Sequence, residues 1–83
     1  MANVTYYVVV PFDVDNEGNH FTLEPMEARS ADAARYRVQR LAAAGKGGVA
    51  FSRTGDPALG EFTEGLVLAA LGNLPERFVD HLF

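Results

Sequence analysis

The chain has 83 residues, 48% of them hydrophobic and 22% charged, which is the composition of a folded domain and excludes a disordered one. It contains no cysteine, so disulfides, thiolate metal sites and cysteine nucleophiles are excluded. A net charge of −4 makes a poor general nucleic-acid binder, because phosphate contacts supply most of that affinity.

Val4 to Phe12 reads VTYYVVVPF, almost wholly β-branched or aromatic, and predicts a strand. Val4, Tyr6, Val8, Val10 and Phe12 alternate with Tyr7 and Val9, so both faces are apolar. Such a strand sits centrally or beneath a second layer. Asp13 to Asn19 is an acidic turn, with Asn16 and Gly18 able to take positive φ. His20 to Met26 predicts a second, antiparallel strand with Phe21 and Leu23 inward. Pro25 marks an edge or the strand's end, since it cannot donate to a ladder.

Ser30 to Ala44 predicts the main helix. Ala31, Ala34, Val38, Leu41 and Ala42 form one stripe, Ser30 caps the start and Gly45 supplies a left-handed stop. Gly48 to Thr54 predicts a third strand, and Gly55 to Gly60 a turn-rich loop. In Phe62 to Leu71, LVLAAL fits either strand or helix by periodicity, and the flanking Gly65 and Gly72 favour strand. Pro75 suits a first helical position, and Phe78, Leu82 and Phe83 are spaced for a short C-terminal helix.

Residues 1–83 therefore predict a single α+β domain, ββαββα, with a mainly antiparallel four-stranded sheet carrying one main helix. One helix covers one sheet face and scarcely two. A homodimer or another protein partner on the remaining face or on an edge strand is the leading expectation. The uncharged, β-branched Val4 to Val10 motivates the edge.

The charge is segregated. Arg29 to Lys46 holds five basic residues and one acid, +4; the remainder holds two basic and ten acidic, −8, which together restore −4. Arg29, Arg37 and Arg40, with Tyr36 beside them, are candidates for an acidic or phosphorylated partner. Arg53 lies in phase with Val49 and Phe51 and close to Asp56, an arrangement that can bind an anion or fix the loop.

Asp13 to Glu24 approaches a calcium loop, with Asp13, Asp15, Glu17 and Glu24 at acidic positions and Gly18 at the sharp turn. Strand formers and Pro25 flank it where helices belong, so a solvated hairpin loop is the simpler reading. Gly55 to Gly60 has phosphate-loop glycine spacing, but Glu61 replaces the lysine. His20 and His81 make no triad with the two serines, Ser30 and Ser52, and no catalytic site or cofactor is expected.

Val49 to Pro57 (VAFSRTGDP), Gly60-Glu61, Val67 to Ala69, Gly72 and Pro75-Glu76, with the Ser30 to Ala34 helix start, resemble a family of short uncharacterised bacterial proteins. The resemblance spans most of the chain after Glu27 and implies a shared fold, with no activity to carry over. The strand hairpin before a Ser-capped helix is similar to small antitoxins with a partial ribonuclease-H-like fold, although their Leu-Pro-Gly-Cys-type signature is missing. The alternation of strands with an Ala-rich helix is loosely similar to peptidoglycan-binding SPOR domains, which act outside the cytoplasm. The Met1-Ala2-Asn3 start lacks a basic side chain and the first apolar run is too short to span a bilayer. With no cysteine, these features predict a cytoplasmic protein that neither crosses nor enters a membrane.

Overall fold

The computed structural model describes residues 3–62 and 65–75. It is an α+β fold with one helix on an antiparallel sheet. The elements are β1 (Val4–Val14), β2 (His20–Thr22), β3 (Met26–Ala28), α1 (Ala31–Ala43), β4 (Gly47–Asp56), β5 (Glu61–Phe62) and β6 (Leu66–Gly72). The expected C-terminal helix lies outside the described residues.

The spine is β1 against β4, paired from Val4↔Gly55 to Phe12↔Gly47. The other strands flank it in broken pairs. On β1's free side lie β3, through Tyr7 to Val9, and β2, through Phe12 to Val14. The single strand expected at His20 to Met26 is therefore two. Between them Leu23-Glu24-Pro25 faces only Val10 and Pro11, which inserts one extra residue and shifts the register. The break falls at Pro25, which has no N–H to give a ladder.

On β4's free side lie β5, at Gly55 and Asp56, and β6, from Gly47 to Ser52. The Phe62 to Leu71 segment is a strand over Leu66–Gly72, with a bulge opposite Ala50/Phe51 that leaves Leu68 as the extra residue. β1 therefore lies centrally from Tyr7 onward, while Val4 to Tyr6 pair only with β4 among the described residues. Its helix-side apolar face is covered by α1, and its other face packs among the sheet's own side chains and Leu74.

Above the sheet, Val9 and Ala50 pack against Ala34 and Val38 of α1, all fully buried, with Tyr7, Met26, Ala28, Leu41, Leu68 and Ala69 around them. Burying a valine fully stabilises by about 1.5–3 kcal/mol, so Val9 and Val38 anchor this layer. Below the sheet, Val10, Phe12 and Val49 are buried with Val8, Phe51, Ala70 and Leu74. The lower face is apolar at its centre and carries Arg53 toward one end.

Local chemistry fixes the helix. The Ala33 N–H donates to Ser30 Oγ at 3.1 Å, and Asp32 sits in the first turn. At the other end Gly45 takes φ +82°, the Gly45 N–H donates to the Ala42 carbonyl and the Lys46 N–H to that of Leu41. This is the paired-bond glycine stop. It turns the chain directly into β4.

Phe21 and Leu23, expected inward, are exposed. β2 joins β1 beyond the reach of α1, which makes no contact with it, so no layer covers those side chains.

Glycine at 47 is required by space. A methyl there would meet the Asn73 carbonyl oxygen and the Leu74 side chain that closes the lower layer. Gly47→Ala is expected to cost about 1–3 kcal/mol, as overpacking does. Thermal unfolding by circular dichroism checks this, and an unchanged melting temperature would contradict it.

Candidate functional site

The chemistry-bearing residues fall at three places: a groove beside α1, the Asp15–Asn19 turn and the outer end of the β1–β4 ribbon.

The groove has a volume of about 570 Å³ and runs along α1 on its β3 side. Met26, Leu41, Ala33 and Ala44 give it an apolar lining, and Tyr36 stands at one wall. Three cations border it: Arg37, Arg40 and Lys46. Helical spacing puts Arg37, Arg40, Leu41 and Ala44 on one flank. The glycine stop brings Lys46 round beside them.

Arg37 reaches back to Met26, its Nη1 3.7 Å from Sδ. Arg40 donates from Nη1 to Tyr36 Oη at 3.2 Å and lies 5.9 Å from the centre of that ring. The first contact holds a guanidinium against β3 and the second holds one against the helix, and neither neutralises it. Among the described residues the ion pairs are Arg35–Asp32 at 3.0 Å and Lys46–Asp13 at 3.9 Å, so neither Arg37 nor Arg40 meets a carboxylate there. Arg29 precedes the helix cap and does not line the groove.

Arg53 is elsewhere, on the lower face opposite Tyr6. Its guanidinium lies 5.4 Å from the centre of the Phe62 ring, and Phe62 packs at 6.0 Å and 54° against Tyr6. Asp56 is not paired with it. The Asp56 Oδ1 instead accepts from the Ala58 N–H at 2.9 Å and shapes the loop. The sequence brought Arg53 and Asp56 near each other, but their side chains serve different contacts.

The acidic loop turns its oxygens onto its own backbone. Asp15 Oδ1 accepts from the Glu17 and Asn19 N–H groups, each at 2.9 Å, and Asp13 Oδ1 accepts from the Val14 N–H at 2.8 Å. Glu24 lies past β2, at the sheet's edge. Among the described residues no three His, Asp or Glu side chains gather where they would hold a metal ion. His20 bridges to the far side of the sheet, its ring Nε2–H donating to Asn73 Oδ1 at 2.9 Å. His81 lies outside the described residues.

Sequence reasoning reached Arg37, Arg40 and Tyr36 but missed Lys46 and Met26. Lys46 follows the helix-stopping Gly45, and that position was the available signal for its return to the helix end. Met26 carries no such signal, because only the β1–β3 register places it under Arg37. Comparison with protein-family models, with curated proteins and with solved structures returns no match. Among the described residues no helix is long and apolar enough to cross a membrane.

The Asn19 N–H, then the Glu17 N–H, hold the Asp15 carboxyl below its ordinary pKa. A depressed carboxyl adds stability that is present above its unfolded value, about pH 4, and is lost as pH falls through the lower folded value. Asp15→Asn keeps an acceptor oxygen and removes the charge. Its melting temperature should fall less than the parent's from about pH 6 to about pH 3. Equal acid sensitivity of the two proteins would contradict this assignment.

Proposed function

We propose that this protein is a non-catalytic interaction module that self-associates, and that it does so by pairing the β6 edges of two copies. The observation that carries this reading is the asymmetry of the two sheet edges. The β2–β3 edge is broken by Pro25, cut into strands of three residues, and carries Glu24 and Glu27. Natural sheets guard their edges with these devices.

The β6 edge has no proline, no charge and no break into shorter strands, although a bulge at Leu68 interrupts its ladder with β4. Leu66–Gly72 reads LVLAALG, seven residues with no charge and no proline. Leu66 is 65% exposed, Leu71 43% and Val67 39%. Among the described residues β6 pairs only with β4. By register, Leu66 and Leu71 lie on the helix side of the sheet, and Val67 and Ala70 on the lower side. Both apolar layers thus run out to this edge and stop.

A second copy fits this edge better than an unrelated strand. Two β6 strands meeting antiparallel about a two-fold axis continue both layers with the same residues, and one surface serves both partners. The module reading also accords with a cysteine-free chain in a reducing compartment, where a small domain gains stability by association.

The test uses about 1 M salt, which shortens the screening length to about 3 Å and suppresses ionic contacts. In sedimentation the parent should have twice its mass of 9.0 kDa, and Leu66→Lys with Leu71→Lys should sediment as one chain. Both positions are exposed, so the variant should retain its helix signal. A monomeric parent, or a dimer untouched by the two lysines, would overturn the proposal.

A further inference from the structure

A second contact between copies is written in the charges, independently of the β6 edge. We infer that the β4–β5 hairpin tip of one copy docks into the α1 groove of the next, with Leu59 as its apolar anchor.

The tip is preformed. Leu59 and Gly60 both donate their N–H groups to the Asp56 carbonyl, at 3.1 and 3.0 Å, and Gly60 takes φ +69°. At its base Gly55 lies against the Glu61 carbonyl so closely that no β-carbon fits. This rigid turn holds Leu59 out at 68% exposure, more than any other large apolar side chain among the described residues. An exposed leucine on an ordered tip has the form of an anchor residue that spends little entropy on binding.

Among the described residues the charge beside it is unbalanced. Asp56 and Glu61 stand directly opposite each other in the β4–β5 register. Like charges facing across a ladder repel, so this pair is stabilised by a cation supplied from outside. In the groove the imbalance is reversed, because Arg37 and Arg40 have no carboxylate among the described residues. Met26, Leu41 and Ala44 give the same groove an apolar lining beside those cations. A leucine flanked by two acids is the complement of an apolar cleft flanked by two arginines.

The contact cannot form within one chain. Met26 on the groove's floor pairs with Val9 and through it lies level with Ala50, six residues before Asp56, so the floor and the base of the tip are about 20 Å apart at strand rise. The occupant is therefore a second copy, and the contact is head-to-tail. Such a contact leaves one free groove and one free tip at the ends of every assembly. Arginine suits it, since a planar guanidinium can grip a carboxylate with two parallel bonds.

The test is run in the Leu66→Lys, Leu71→Lys chain, so that β6 pairing is absent and failure of that reading does not affect the outcome. At about 20 mM salt the screening length is near 20 Å and the ionic contact is at full strength. One variant adds Arg37→Glu and Arg40→Glu, spoiling the groove; another adds Leu59→Ser and Glu61→Gln, spoiling the tip. The unspoiled chain should show a sedimentation mass that climbs with concentration above 9.0 kDa and returns to 9.0 kDa in high salt.

Each spoiled variant alone should remain at one chain mass. Their equimolar mixture should give a complex of twice 9.0 kDa and nothing larger, because only one intact tip and one intact groove remain. Circular dichroism of each variant establishes that it is folded. A monomeric unspoiled chain, a mixture that stays monomeric, or a spoiled variant that still self-associates would each overturn the inference. Binding of an acidic peptide by the groove while the mixture stays monomeric would assign the groove to another partner and likewise overturn it.

Discussion

The nine-residue antiparallel pairing of β1 with β4 is the constraint on which the rest of the structure depends. Because side chains alternate, one register decides both layers together. Val9 with Ala50 faces α1, and Val10 with Val49 faces away. A slip of one residue would move every one of them to the other side. The same register sets Tyr6 beside Arg53 at one end and Phe12 beside Gly47 at the other. It also sends both hairpins outward, which makes the molecule 47 Å long and only 17 Å thick.

A ribbon of this length outruns its helix. At 1.5 Å per residue, α1 spans about 20 Å, whereas β1 spans about 36 Å. The middle of the sheet is therefore packed on its upper side, and the ends are left to local chemistry. At one end Asp15 closes a turn with its own backbone; at the other Asp56 does so beneath Leu59. Of the exposed apolar residues, Phe21, Leu23 and Leu59 lie on or beside these hairpins, where the helix does not reach.

Much of this was legible in the chain. The helix was readable from Ser30, the Ala34–Val38–Leu41 stripe and Gly45, because cap, stripe and stop are all local signals. The two-sided character of β1 was readable from VTYYVVV, and with it the need for two layers. What could not be read was pairing. Val4 to Val10 has the composition of an open edge, yet β4 pairs along all of it and β3 closes its other side at Tyr7 to Val9, and the longer open edge is β6. Pro25 announced a strand end, but the one-residue register shift around it depends on β1. The groove escaped for the same reason: Met26, Arg37 and Lys46 meet only through the β1–β3 pairing and the turn at Gly45.

An apolar edge that is uncharged over seven residues stands beside an opposite edge guarded by Pro25, Glu24 and Glu27. Exposed edges invite aggregation unless they are paired, so a long uncharged edge calls for a partner. The most direct measurement is an isotope-filtered NOE experiment on an equimolar mixture of labelled and unlabelled chains. The account predicts cross-copy contacts from Leu66, Val67 and Leu71 to the same strand of the other molecule. A dimeric sample in which those residues show no cross-copy contacts, or in which the contacts arise from β2 and β3, would contradict it.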